Sequence, residues 1–199
     1  REGADAVVTA LSSTWGALSL NGPRSRDVLV ACTDAALDNA SFRWLSAQKI
    51  TIAGQKVWAL RVSYAGELGW ELHMPYAAMV DVYSALWSAG QAYGITDYGS
   101  FAMNAMRMEK GFKGAGELTN EVTLVEADVL RFARTDKDYL GRDKTLNSEM
   151  AWICAYLEIE PDGEIDGHGG EAILLNGTVV GSTASVAYGP TVGKILAFA

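Results

Sequence analysis

The chain has 199 residues, 49% of them hydrophobic and 20% charged, with two cysteines and a formal net charge of -8. This is a globular composition, long enough for one large core or two small ones, and it excludes both a disordered chain and a disulfide-built scaffold. The acidic balance excludes general nucleic-acid binding, which needs clustered Lys and Arg, and no apolar run approaches the roughly 20 residues that span a bilayer.

Residues 7–11 and 15–20 read as short strands around a Ser12-Ser13-Thr14 turn. Asn21-Gly22-Pro23 is turn chemistry, and Pro23 suits the start of a helix through Val28, Leu29 and Cys32. Residues 49–62 predict a hairpin turning at Ala53-Gly54. A glycine-bearing loop, Tyr64-Ala65-Gly66-Glu67-Leu68-Gly69, then feeds the strand Trp70-Glu71-Leu72-His73-Met74. Its alternation puts Trp70, Leu72 and Met74 on one face and Glu71 and His73 on the other. Pro75 marks the switch to a helix whose stripe is Met79, Val82, Tyr83 and Leu86, widened by Val80 and Trp87.

A helix over residues 99–110 carries Phe101, Met106 and Met108 and stops at Gly111. A further helix is expected over residues 123–132, with Val125, Val129 and Phe132 along one stripe. Strands follow at 152–159, 171–175, 178–182 and 192–198, with a glycine-rich acidic loop at 161–170 and a hairpin turn at Asn176-Gly177. The fold class is therefore α+β: an antiparallel sheet with packed helices over residues 1–145, then an all-β, barrel-like domain over 150–199.

Most chemical motifs fail on spacing. Gly111, Gly114 and Gly116 with Lys113 match neither a dinucleotide fingerprint nor a phosphate-binding loop. With two His and no paired Cys at ligand spacing, no metal site is expected. Cys32 and Cys154 lie in apolar runs and read as free, buried thiols. Asn39-Ala40-Ser41 and Asn176-Gly177-Thr178 match the glycosylation triplet by chance. Glu71 stands out, because a carboxylate beside a glycine loop accepts hydrogen bonds from a flat amide-and-amine heterocycle. From physics alone a solvent-facing carboxylate is the simpler reading.

Residues Val62-Ser63-Tyr64-Ala65-Gly66-Glu67-Leu68-Gly69-Trp70-Glu71-Leu72 resemble a segment of the folate-dependent aminomethyltransferase family, typified by the T-protein of the glycine cleavage system. The same module forms the C-terminal half of dimethylglycine and sarcosine dehydrogenases. Further segments match in the family's order: Leu18 to Pro23, Met106 to Gly111, Glu117 to Ala127, Asp136 to Arg142 and Gly177 to Ser185. The resemblance implies a tetrahydrofolate-binding module in which Glu71 holds the pterin ring bidentately and Tyr64 lines the same pocket. It implies transfer of an aminomethyl or methylene unit from a small amine, such as glycine-derived aminomethyl, sarcosine or dimethylglycine. Two departures accompany it. Met103 stands where T-proteins carry a folate-contacting Arg, and the family's catalytic Asp has no counterpart, so the catalytic residue is expected upstream.

The chain opens without an initiator Met and closes inside a strand-like run, which reads as a C-terminal piece of a longer protein. An upstream FAD-binding half, or self-association, would then complete it. Nucleic acid and membrane are not expected partners, and the expected location is cytoplasmic, or the mitochondrial matrix in a eukaryote. Two other readings share the fold: a non-catalytic folate-binding relative and a sulfonium-compound demethylase. The iron–sulfur branch of the former relies on a Cys motif near residues 110–119, and this sequence has none there.

Overall fold

The computed structural model describes residue 3, residues 5–160 and residues 167–199. Most of the expected acidic loop, residues 161–166, lies outside the described residues. The chain packs as two compact units, Arg1–Asp97 and Tyr98–Ala199.

In the first unit, four antiparallel strands line up in the order β1-β4-β3-β2: β1 Trp15–Asn21, β2 Ala47–Ile52, β3 Gln55–Leu60 and β4 Gly69–Pro75. Alternation decides what each face does. Leu20, Ile50, Ile52, Val57, Ala59, Trp70, Leu72 and Met74 are all buried and share the inner face. They pack against α1 (Ser25–Val30), through Val28 and Leu29, and α2 (Tyr76–Gly90), through Ala78, Val82 and Leu86. Each fully buried Val, Leu, Ile or Met side chain here contributes about 1.5–3 kcal/mol, and together they hold the sheet to its helices. The outer face carries Ala17, Ser19, Lys49, Trp58, Glu71 and His73, all exposed or half-buried.

Several expectations need correction. Residues 7–11 form no strand, and Val7 and Val8 are 92% and 98% exposed. Strand propensity without a partner ladder is not enough. The α2 stripe is turned from the expected one. Its buried positions are Ala78, Val82, Leu86 and Gly90, while Val80 is exposed and Tyr83 points outward. The small residues let the sheet approach, and the Tyr83 hydroxyl needs a polar partner, which it finds by donating to Asp97 at 2.9 Å.

In the second unit, α3 (Ser100–Glu109) packs on a three-stranded antiparallel sheet in the order β5-β9-β8. Its strands are β5 Tyr156–Ile159, β8 Ser185–Gly189 and β9 Lys194–Phe198. A separate hairpin pairs β6 Ala172–Leu175 with β7 Thr178–Ser182. Met108, Leu196 and Phe198 form one core cluster, and Val186, Ile195 and Ala197 another. Phe101, expected among the apolar positions of this helix, is instead 91% exposed.

Gly111 ends α3 as expected. At φ 66° it lets its own N–H reach Met108 O and the Phe112 N–H reach Arg107 O, which closes the orphan carbonyls of the last turn. The expected helix at 123–132 is absent. Thr123 and Glu126 do cap each other as a helix start, but Asp128 turns left-handed at φ 53° and stops it after one turn. Only Leu130–Phe132 continues, as a 3-10 turn. A short helix, α4 (Arg142–Leu146), follows. The strand expected at 152–159 is confined to β5, because the Ala151 and Trp152 N–H groups are drawn to the Glu126 carboxylate instead of a ladder.

Candidate functional site

Glu71 sits in the middle of β4, with a neighbouring strand on each side. Its register partners are Ser19 on β1 and Leu60 on β3. The side chain is 39% exposed on the outer face. His73, two residues on and on the same face, places Nε2 3.1 Å from Glu71 Oε2. That single bond steers the carboxylate and leaves it with unused acceptor capacity. Directly across the sheet from His73 stands Trp58 on β3, and across from Trp58 stands Lys49 on β2. The Lys49 ammonium lies 4.7 Å from the centroid of the Trp58 ring.

Trp70, the residue before Glu71, anchors the strand from the opposite face. It is fully buried and meets Phe42 edge-on, with ring centroids 6.2 Å apart. Arg26 and Arg61 approach the same indole at 5.9 and 6.0 Å. Both guanidinium groups donate to one acceptor, Asn39 Oδ1, at 2.7 and 2.8 Å, and Arg61 also donates to Phe42 O at 2.6 Å. Burial, then the neighbouring Arg26 charge, push the Arg61 guanidinium below its ordinary range.

This clamp fixes one end of the 61–68 loop, which carries Tyr64. The other end is held at Leu68 O, which accepts from the Gly22 N–H at 2.8 Å and from Ser25 Oγ at 3.0 Å. Gly69 follows opposite Asn21, where an added Cβ would run into the Asn21 side chain and stand 2.8 Å from the Leu20 backbone carbonyl oxygen, so glycine is favoured. The Tyr64 side chain is 41% exposed. Met103 stands on α3 in the second unit and is half-buried.

The glycine loop at 111–116 has a structural duty. The Gly114 N–H donates to Glu117 Oε2 at 2.5 Å, and Arg107 Nη1 donates to the same oxygen at 2.9 Å. Burial alone would push the Glu117 carboxyl up; hydrogen bonds from Ser185, Gly114 and Arg107 together hold it below the ordinary carboxylate range. Cys32 and Cys154 are free, half-buried thiols, both pushed up by burial.

Alternation within β4 was enough to pair Glu71 with His73 from the sequence. Trp58 and Lys49 carry no local signal in the sequence, because their place depends on the β2–β3–β4 register. The Arg26–Asn39–Arg61 clamp joins residues 22 and 13 positions apart and leaves no local signal.

Comparison with known proteins now decides the family. The pattern of the GCVT N-terminal domain matches residues 1–137, and that of the glycine cleavage T-protein C-terminal barrel domain matches residues 154–199. The chain belongs to the GCVT family. This GCVT chain is 34% identical to human mitochondrial dimethylglycine dehydrogenase, over 99% of its own length and 23% of the relative's. It is 36% identical to mouse mitochondrial sarcosine dehydrogenase, over 94% of its own length and 21% of the relative's. It thus spans less than a quarter of these curated relatives. The GCVT fold is shared with the glycine cleavage system aminomethyltransferase T from Bartonella henselae, with a TM-score of 0.76 and 20% identity over 92% of this chain and 50% of that one. The α+β class with a C-terminal barrel-type domain is therefore the family's fold. Among the described residues no helix is long and apolar enough to cross a membrane.

Proposed function

We propose that this chain is the tetrahydrofolate-binding part of an enzyme that moves a one-carbon unit from a small secondary or tertiary amine. The observation that carries this reading is Glu71. It is a half-exposed carboxylate on an outer sheet face, steered by His73 and set between a clamped loop and a buried tryptophan, in a chain of the GCVT family.

The residues present fit the group. A pterin offers adjacent amide and amine N–H donors, and a carboxylate takes two of them side by side, which fixes the ring's rotation as well as its position. Glu71 would hold that edge, and Tyr64, on the loop leading into β4, would line the ring. When bound, tetrahydrofolate supplies the nitrogens that accept the one-carbon unit. The chain's share of the work is positioning: a rigid strand presents the acceptor at one orientation, and the gain comes from pre-set geometry. Dimethylglycine and sarcosine are the donors favoured by the relatives' names. The flavin chemistry and the catalytic acid belong to other parts of such an enzyme, and mitochondrial relatives favour the matrix in a eukaryote.

A tryptophan-fluorescence titration with tetrahydrofolate tests the reading, since Trp58 lies open on the same sheet face as Glu71. The expected result is saturable quenching whose affinity falls about 10- to 100-fold in Glu71→Gln, the worth of a charge-assisted pair of hydrogen bonds. Equal affinity in the variant, with an unchanged circular-dichroism spectrum, would remove Glu71 from the site.

A further inference from the structure

The outer face of the first sheet holds more than Glu71. Two adjacent rows cross it. One runs Ser19–Glu71–Leu60–Ala47, the next Ala17–His73–Trp58–Lys49. The second row ends in a cation: Lys49 is exposed, and its ammonium is held 4.7 Å from the centroid of the Trp58 ring. Among the described residues no Asp or Glu forms an ion pair with it. Trp58 is itself 40% exposed, a large apolar ring lying open between the Glu71–His73 pair and the lysine. From sheet geometry, with strands ~4.8 Å apart and same-face residues ~6.7 Å apart along a strand, Glu71 and Lys49 are about 12 Å apart at Cα.

The face thus orders three chemistries from β4 to β2: an acceptor for paired N–H donors, an open aromatic surface and a cation. A reduced folate carries the complementary three in the same order: pterin amide and amine, aminobenzoyl ring, glutamate carboxylates. We propose that Lys49 binds the glutamate carboxylates of the folate tail and that Trp58 holds Lys49 in place while giving the aminobenzoyl ring an apolar surface. The assignment rests on the folate reading of Glu71. Aromatic–cation contact restrains the long lysine stem, so less rotamer freedom is lost when the carboxylate arrives.

Isothermal titration of the full chain with tetrahydrofolate and with 6-methyltetrahydropterin, which has no tail, separates the two claims. Tetrahydrofolate is expected to bind the native chain more tightly than the pterin, by about fivefold at low ionic strength, with the gap narrowing as salt screens the ion pair. Lys49→Gln narrows the gap at low salt to the part the Trp58 ring supplies and leaves pterin affinity unchanged, and Lys49→Arg keeps the gap. Glu71→Gln weakens both ligands. If Lys49→Gln leaves tetrahydrofolate affinity intact while Glu71→Gln weakens both, the tail assignment is wrong and the folate reading stands. Equal weakening of both ligands by Lys49→Gln also overturns the tail assignment. No binding by the native chain, or no effect of Glu71→Gln on either ligand, overturns the folate reading and this inference with it.

Discussion

Asn39 shows how much one side chain can hold. Its Oδ1 takes Arg26 and Arg61 together, and so keeps two like charges against the Trp70 indole. Asn39→Ala removes the shared acceptor and leaves the guanidinium groups facing each other. The expected loss is about 1.5–3 kcal/mol, the range for hydrogen bonds to charged groups, read as a shift of the urea midpoint. Because Arg61 also fixes the start of the 61–68 loop, the variant is expected to show faster amide exchange from Tyr64 to Gly69. An unchanged midpoint and unchanged exchange would make the clamp incidental. The like-charge pair is tolerated because both groups reach Asn39 and Arg61 also reaches a backbone carbonyl, so neither depends on a carboxylate.

At the scale of elements, two hairpins allow an internal comparison. Both turns put their central residues at positive φ: Ala53 and Gly54 at 49° and 75°, Asn176 and Gly177 at 52° and 80°. Asn-Gly suits this turn, whereas an alanine Cβ is strained there, at a cost of roughly 1–2 kcal/mol. Ala53→Asn is therefore expected to raise thermal stability, by about 1 kcal/mol at the midpoint, and Asn176→Ala to lower it by a similar amount. A stability change of the opposite sign in either variant would contradict the strain argument.

The lead into the second hairpin gives a pH dependence. Thr183 Oγ, first, and the His168 N–H, next, donate to Glu171 and pull its carboxyl from 4.5 down to about 2. A depressed carboxyl stabilises the fold above its ordinary value. The contribution is lost as pH falls from about 4.5 toward 2. Melting temperatures across that window should fall less steeply in Glu171→Gln; equal slopes would show that the loop does not depend on the charge.

The same elements show what a sequence discloses. The two hairpins, the β4 strand with its polar and apolar faces, the Gly111 stop and the α+β class were legible, because each rests on local chemistry: turn residues, alternation, a left-handed glycine. The failures share a cause too. Residues 7–11 look like a strand but have no partner, and residues 123–132 look like a helix until Asp128 leaves helical space. The turned α2 stripe depended on which small residues the sheet approaches, a tertiary fact.

At the scale of the molecule, each of the two units builds its own core, and the residues proposed to meet a folate lie in the first. Glu71, Tyr64, His73, Trp58 and Lys49 all fall between β2 and β4. The site's carboxylate was legible from alternation and from the likeness of residues 62–72 to the family's segment; its companions required the sheet register. Family membership fixes the fold, while the cofactor has to be seen. The most direct measurement is a crystal structure of the chain grown with tetrahydrofolate. The pterin edge is expected within hydrogen-bond distance of both Glu71 carboxylate oxygens on the outer face of the first sheet. A folate bound elsewhere, with Glu71 still engaged only by His73, would contradict it.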